Sequence, residues 1–300
     1  MDIEFIDFWP GFESEPNIFL DYFKDNTHVC DKLGEAGITK VVFRSVFPEK
    51  NMENRLQRKL ARIKISQEKI NPIDEPGCLH IWYSGENIRP PLDEDFHGYL
   101  SFDLDRFGGR NIYFPLIFLS MNPYGFNSQR RLGKNYRLEN LLEGRTLTSS
   151  KIENSICIIA GKHPMRTAAV HELSKYVKVD VFGGMSNSPI NEKYSVAKNY
   201  QYMLCFENDL YPGYVTEKLV EAYVCEAVPL YWGSTEGNDY LNSKSFINLR
   251  DFQDIEAWAK YVSALSEKEY REIYERPLLL SEPPTVLQLS ELFNSILQRL

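Results

Sequence analysis

Short apolar runs alternate along this chain with longer segments in which apolar residues recur every three or four positions. The short runs predict strands at Ile3–Trp9, Val41–Arg44, Leu79–Tyr83 and Tyr99–Leu104 in the first half. In the second half they predict strands at Ile156–Ala160, Val177–Phe182, Tyr202–Phe206, Val228–Trp232 and Phe246–Leu249. Ile156-Cys157-Ile158-Ile159-Ala160 is apolar on both faces, which suits a strand covered on both sides of a parallel sheet. Between these runs the longer period predicts helices over Pro16–Lys24, Glu53–Lys64, Arg166–Tyr176, Thr216–Cys225, Ile255–Leu265 and Ser266–Tyr274, and a last one from about Thr285 to Leu300. Strands alternating with helices imply α/β units with parallel sheets. The stretch from Ser120 to Ser150 breaks the rhythm with Asn122-Pro123-Tyr124-Gly125, several Arg and Thr148-Ser149-Ser150, and reads as irregular chain leading to a domain boundary near Lys151. Two domains are therefore expected, 1–150 and 151–300, with the last helix free to pack back on the first.

The 300 residues suffice for two such domains, and 43% hydrophobic with 25% charged residues is the balance of a globular protein. A net charge of −8 argues against nucleic acid as a partner, since phosphate backbones call for a basic face. The one basic cluster, Arg55, Arg58, Lys59, Arg62 and Lys64, has the spacing of a cationic helix face, either simply solvated or suited to docking an anionic membrane or a nucleotide. Five widely spaced cysteines with no C-x-x-C pair look like buried, reduced thiols rather than a disulfide frame or a zinc site. The acidic start Met1-Asp2-Ile3-Glu4 lacks a signal region, and no run of about 18 apolar residues occurs, so a cytoplasmic location, at most peripheral at the inner membrane face, is expected.

Three segments carry candidate chemistry, each just after a strand, where ligands bind in doubly wound sheets. In Phe206-Glu207-Asn208 through Tyr214-Val215-Thr216-Glu217-Lys218, a buried strand runs through a Pro/Gly loop into a helix that Thr216 is expected to cap. Lys218 in the first helical turn opposes the helix dipole, a placement that makes sense beside an anion such as a diphosphate. In Tyr83-Ser84-Gly85-Glu86-Asn87, Gly85 permits a tight turn and Glu86 stands at the strand end, where a carboxylate can act as a general base. In Lys162-His163-Pro164-Met165-Arg166, Arg166 opens a helix with a guanidinium placed for phosphate, while His163 and His171 read as structural or exposed. Asp103-Leu104-Asp105 has the form of a metal-binding Asp-x-Asp, a pattern short enough to recur by chance. Dinucleotide-binding, P-loop and nucleophile-elbow motifs are absent.

The run from Phe206 to Lys218, followed by Val228-Pro229-Leu230-Tyr231-Trp232-Gly233, resembles the signature of the α-1,3/4-fucosyltransferases, and of the bacterial enzymes that make Lewis-type antigens in particular. Tyr83 to Pro90, Pro164-Met165-Arg166, Val179 to Gly183 and Lys244 to Phe252 extend the resemblance over nearly the whole chain. The resemblance implies a GT-B architecture, two Rossmann-like domains facing across a cleft, with acceptor bound by the first and GDP-fucose by the second. It implies inverting transfer of L-fucose from GDP-β-L-fucose to the 3-OH of GlcNAc in an N-acetyllactosamine-type glycan, as in Lewis X or lipopolysaccharide biosynthesis. By position Glu86 matches the family's general base, Arg166 and Lys218 the diphosphate ligands, and Tyr214, Glu217 and Asn208 further donor-binding residues. No divalent ion is obligatory in such a scheme, although stimulation by Mg or Mn is compatible with it. The chain departs from the bacterial pattern in lacking terminal seven-residue repeats and a basic tail, which leaves the oligomeric state open. Two competing readings are a GT-B-like transferase with another nucleotide-sugar donor and a binding module without turnover.

Overall fold

The computed structural model describes residues 1–9, 11–12, 17–47, 75–128, 131–147, 151–186 and 188–300. The basic cluster at Arg55–Lys64, the helix expected there and Thr148-Ser149-Ser150 lie outside them. The chain forms two compact units, Met1–Tyr124 with Pro284–Leu300, and Gly125–Pro283. Among the described residues no helix is long and apolar enough to cross a membrane.

The first unit is built on five parallel strands, β1 (Asp2–Ile6), β2 (Lys40–Arg44), β3 (Cys78–Tyr83), β4 (Gly98–Ser101) and β5 (Asn111–Tyr113), lying side by side in that order. All run the same way, so every strand delivers its carboxyl end to one edge of the sheet. β3, in the middle, is buried at all six positions, the condition of a strand covered on both faces. The aromatic content goes largely into this core: Phe19 stacks on Phe43 with ring centres 4.6 Å apart, and Phe5, Tyr83 and Phe114 pack around them. The helix Ile18–Asp25 starts at Asn17, whose side chain accepts from the Phe19 N–H at 3.0 Å. The last helix, Thr285–Leu297, buries Leu289, Leu292, Phe293 and Ile296 in this unit, with Phe293 against Phe23 and Tyr22.

The second unit holds β6 (Ile152–Ile159), β7 (Lys178–Phe182), β8 (Tyr200–Phe206), β9 (Val228–Trp232) and β10 (Ile247–Asn248), all parallel, in the order β10-β9-β8-β6-β7. Ile156, Ile158, Leu204, Phe206, Val228 and Leu230 form its core with Leu173 and the fully buried Trp258. The helices behind it are capped as their sequences dictate. Asp254 accepts from Ala257 N–H at 2.8 Å, and Ser266 with Glu269 makes a reciprocal capping box at the start of Glu267–Tyr274. All five cysteines are free thiols, four of them buried.

The two sheets differ in one way that matters for ligands. In the first, strand order follows sequence order without reversal. In the second, β6 lies inside, the chain moves outward to β7, then returns to place β8 on the other side of β6. Successive connections diverge there, so the switch point falls at the carboxyl ends of β6 and β8, the usual ligand position in such sheets. The sheet thus directs attention to two loops: 160–163, which leads into the helix Pro164–Leu173, and 207–217, which leads into the helix Lys218–Val224.

Candidate active site

Arg166 lies in the first turn of the helix that follows β6, and only 5% of it is exposed. Its guanidinium reaches across to the end of β8. Nε and Nη2 donate to the Phe206 carbonyl at 3.2 and 2.7 Å, Nη2 also donates to Asn208 Oδ1 at 2.7 Å, and Nη1 donates to the Gly161 carbonyl at 3.3 Å. Four of its five N–H donors are thereby engaged, which ties the two loops together. Burial draws its pKa down, opposed by Glu207, Tyr214 and Glu217. Asn208, exposed at the start of the second loop, is oriented by Arg166.

Around Lys218 the centre is Glu207, fully buried at the end of β8. Its Oε1 accepts from the Thr216 N–H at 2.9 Å and, more distantly, from the Tyr231 hydroxyl at 3.4 Å. Its Oε2 accepts from the Thr216 hydroxyl at 2.8 Å and from Lys218 Nζ at 3.0 Å. Lys218 Nζ also donates to Thr216 Oγ1 at 2.7 Å and meets Glu217 Oε1 at 3.5 Å. Burial alone would lower the lysine pKa, but the Glu207 and Glu217 carboxylates reverse this and hold the ammonium above its ordinary range. Burial pushes Glu217 up, and Lys218 with Lys193 outweighs it, so its carboxyl titrates below the usual value. Tyr214 is buried in the same group and bears electrostatically on both Arg166 and Lys218.

Two expectations change here. Thr216 does not cap the helix: the cap residue is Glu217, without a side-chain cap bond, because the Thr216 hydroxyl is taken by the Glu207 carboxylate. The anion that explains a lysine in the first turn is, within the protein, Glu207. That residue has no role in the sequence reading, although a carboxylate ending an apolar strand, followed by Thr216 and Lys218, is a signal, since buried carboxylates are paired. Gly233 belongs to this group too: a Cβ there would stand 2.2 Å from the Tyr231 hydroxyl and 2.9 Å from Glu207 Cγ. Lys193 and Glu221, ion-paired beside Glu217, complete the charged row.

Glu86 lies in the first unit, half-buried, at the carboxyl end of β3. Its loop is fixed by Ser84, whose hydroxyl donates to the Ile88 carbonyl at 2.5 Å, and by the Ile88 N–H on the Glu86 carbonyl at 2.7 Å. Gly85 is required by close approach, since a Cβ would stand 2.3 Å from Ser45 Oγ and 3.0 Å from the Phe47 ring. The structure brings Arg166, Asn208, Tyr214, Glu217 and Lys218 together and places Glu86 on the other unit. His163 stands half-buried beside Trp232, ring centres 6.0 Å apart, and His171 is exposed. Arg89 Nε and Nη2 both reach Asp103 Oδ2, at 2.7 and 2.6 Å, and Asp105 accepts from the Phe107 N–H, so both carboxylates shape their own loop.

Residues 150–276 match the family model described as glycosyltransferase family 10 (fucosyltransferase) C-term. Over 121 residues the chain is 34% identical to the α-(1,3)-fucosyltransferase FucT of Helicobacter pylori, a match covering 38% of this chain and 25% of that protein. Over 122 residues it is 28% identical to a 4-galactosyl-N-acetylglucosaminide 3-α-L-fucosyltransferase of Mus musculus, covering 38% of this chain and 34% of that one. The matches therefore span about a quarter to a third of the length of these curated relatives. A crystal structure of an α1,3-fucosyltransferase with GDP-fucose superposes with a TM-score of 0.61 at 21% identity, over 99% of this chain and 90% of that one, which matches the fold of both parallel-sheet units. The residues around Arg166 and Lys218 lie within the matched segment, so the part of the chain that carries the candidate site is similar to the C-terminal part of the glycosyltransferase family 10 fucosyltransferases, and both parallel-sheet units share the fold of an α1,3-fucosyltransferase.

Proposed function

We propose that this protein is an inverting α-1,3-fucosyltransferase that moves L-fucose from GDP-β-L-fucose to the 3-OH of GlcNAc in an N-acetyllactosamine-type glycan. The observation that carries the reading is the Arg166–Asn208 and Glu207–Lys218 pairings at the point of the second sheet where the strand order reverses, inside the segment that matches the fucosyltransferase family. The second unit holds the donor. The cations Arg166 and Lys218 stand there beside the carboxylates Glu207 and Glu217, with the Lys193–Glu221 pair next to them. The diphosphate is then accepted by exchange: Lys218 keeps Glu207, gives up its long contact to Glu217, and turns that N–H to a phosphate oxygen, while Arg166 contributes its remaining Nη1 hydrogen. Tyr214, Glu217 and Asn208 border the nucleoside and sugar.

In the transfer step Glu86 takes the proton of the acceptor hydroxyl as its oxygen bonds to the anomeric carbon. The bond from that carbon to the β-phosphate oxygen breaks in the same displacement, inverting the configuration. The electron pair leaves with GDP, whose added charge Lys218 and Arg166 stabilise. No step is assigned to a divalent ion. The test is GDP release from GDP-fucose with and without N-acetyllactosamine, with GDP-mannose as alternative donor and a chelator present. Release that depends on both GDP-fucose and acceptor is expected. Equal release from GDP-mannose would instead favour a transferase of other donor specificity, and GDP binding with no release a module without turnover.

A further inference from the structure

β3 ends at the Glu86 loop, but its amino end carries a different chemistry. Cys78 and His80 are two residues apart on the strand and so share a face of the sheet. Glu75, in the turn leading into β3, brings its carboxylate to the same place, and the candidate donor atoms of the three residues all lie within 4.8 Å of one another. His80 is 7% exposed, and neither ring nitrogen makes a hydrogen bond; Nε2 faces Glu75 Oε2 at 3.4 Å. A buried imidazole with no hydrogen bond is costly unless something else occupies it. The neighbouring His97 does not do so: its Nδ1 accepts from the His80 backbone N–H at 3.1 Å.

We propose that Glu75, Cys78 and His80 form a binding site for a divalent cation of the zinc class, with one thiolate, one imidazole and one carboxylate as ligands and water in the fourth position. The donor set selects the ion: mixed sulfur, nitrogen and oxygen ligands suit Zn²⁺, whereas Mg²⁺ and Ca²⁺ require oxygen. On binding, the Cys78 thiol gives its proton to solvent, and the thiolate and carboxylate then balance both charges of the ion. A tetrahedral zinc holds its ligand atoms roughly 3.3–3.8 Å apart, so closure needs shifts of about an ångström. The Glu75 side chain, 58% exposed, is free to supply them and leaves the site open to solvent on that side. The whole of β3, about 20 Å of strand, separates this site from Glu86. The ion therefore has no place in glycosyl transfer and would pin the turn that precedes the central strand.

Cobalt(II) is the probe, titrated into the full chain and followed by absorbance, a readout independent of any activity. A stoichiometric thiolate-to-cobalt charge-transfer band, with the visible bands of four-coordinate cobalt, is expected, and Zn²⁺ should displace both. Cys78→Ser should remove the charge-transfer band, and Cys30→Ser should keep it. Glu75→Ala, at an exposed position that leaves the strand intact, should weaken cobalt binding about tenfold or more. A wild-type protein without the band, a band retained in Cys78→Ser, or unchanged affinity in Glu75→Ala would each overturn the site.

Discussion

Glu207 sets what Lys218 can do. Both oxygens of this buried carboxylate are filled by Thr216, Lys218 and Tyr231, so the ammonium is held at one point above the end of β8 rather than swinging on a free lysine stem. Glu207→Gln keeps the shape and removes the charge. It should cost roughly 1.5–3 kcal/mol in urea unfolding, the range for a lost hydrogen bond to a charged group, and weaken GDP binding together with stability. An unchanged unfolding midpoint would show that the pairing is not a structural anchor. The pH dependence follows from the direction of the Lys218 shift. A lysine pKa raised by folding adds stability that is fully present below the unfolded value of about 10.4 and is lost only as pH rises through the higher folded value. GDP affinity should therefore show no loss from Lys218 deprotonation between pH 7 and about 10, checked by titration calorimetry across that window.

Among the elements, legibility in the sequence followed length and capping. Apolar runs place β8 and β9 closely and the later half of β6, which begins four residues before the expected Ile156, and the helix expected over Ser266–Tyr274 forms over Glu267–Tyr274. The three-residue β5 and the helix Thr27–Glu35 were not legible: the first is too short to show a period, and the second buries only Val29 and Leu33. At the site, Arg166 and Lys218 stood out as cations at helix starts, and Glu86 as a carboxylate after a glycine. What those cations touch depends on contacts between β8 and its neighbours, which no local pattern encodes. Two substitutions test the elements. Ser266→Ala should cost about 1 kcal/mol through the lost cap, measured by thermal or urea unfolding. Gly85→Ala should be disruptive, because the position is buried and the added methyl meets Ser45 and Phe47. It should reduce transfer with little effect on GDP affinity, and normal transfer by that variant would mean the Glu86 loop tolerates displacement.

At the scale of the whole molecule, the division of labour follows from strand order. Among the described residues the strand order reverses in the second sheet and not in the first, which puts the switch point, where such sheets bind ligands, in the unit that holds most of the matched family segment. In the proposed reaction the base, Glu86, follows the central strand of the first sheet. The chain leaves the first unit after Tyr124 and returns to it at Pro284, so Thr285–Leu297 belongs to the first core, where Leu292 fills the space beside Gly98. Removing residues 284–300 should lower hydrogen-exchange protection in β3–β5 while leaving β6–β9 protected, whereas equal loss in both sheets would contradict the assignment of that helix. The proposed division between donor binding and base is tested most directly by the affinity for GDP, by titration calorimetry, of the wild type, Lys218→Ala and Glu86→Ala. Glu86→Ala should bind GDP as the wild type does while transferring no fucose, and Lys218→Ala should bind about tenfold or more weakly, the worth of one charge-assisted contact. Equal affinity in all three proteins, or loss of GDP binding in Glu86→Ala alone, would contradict that division.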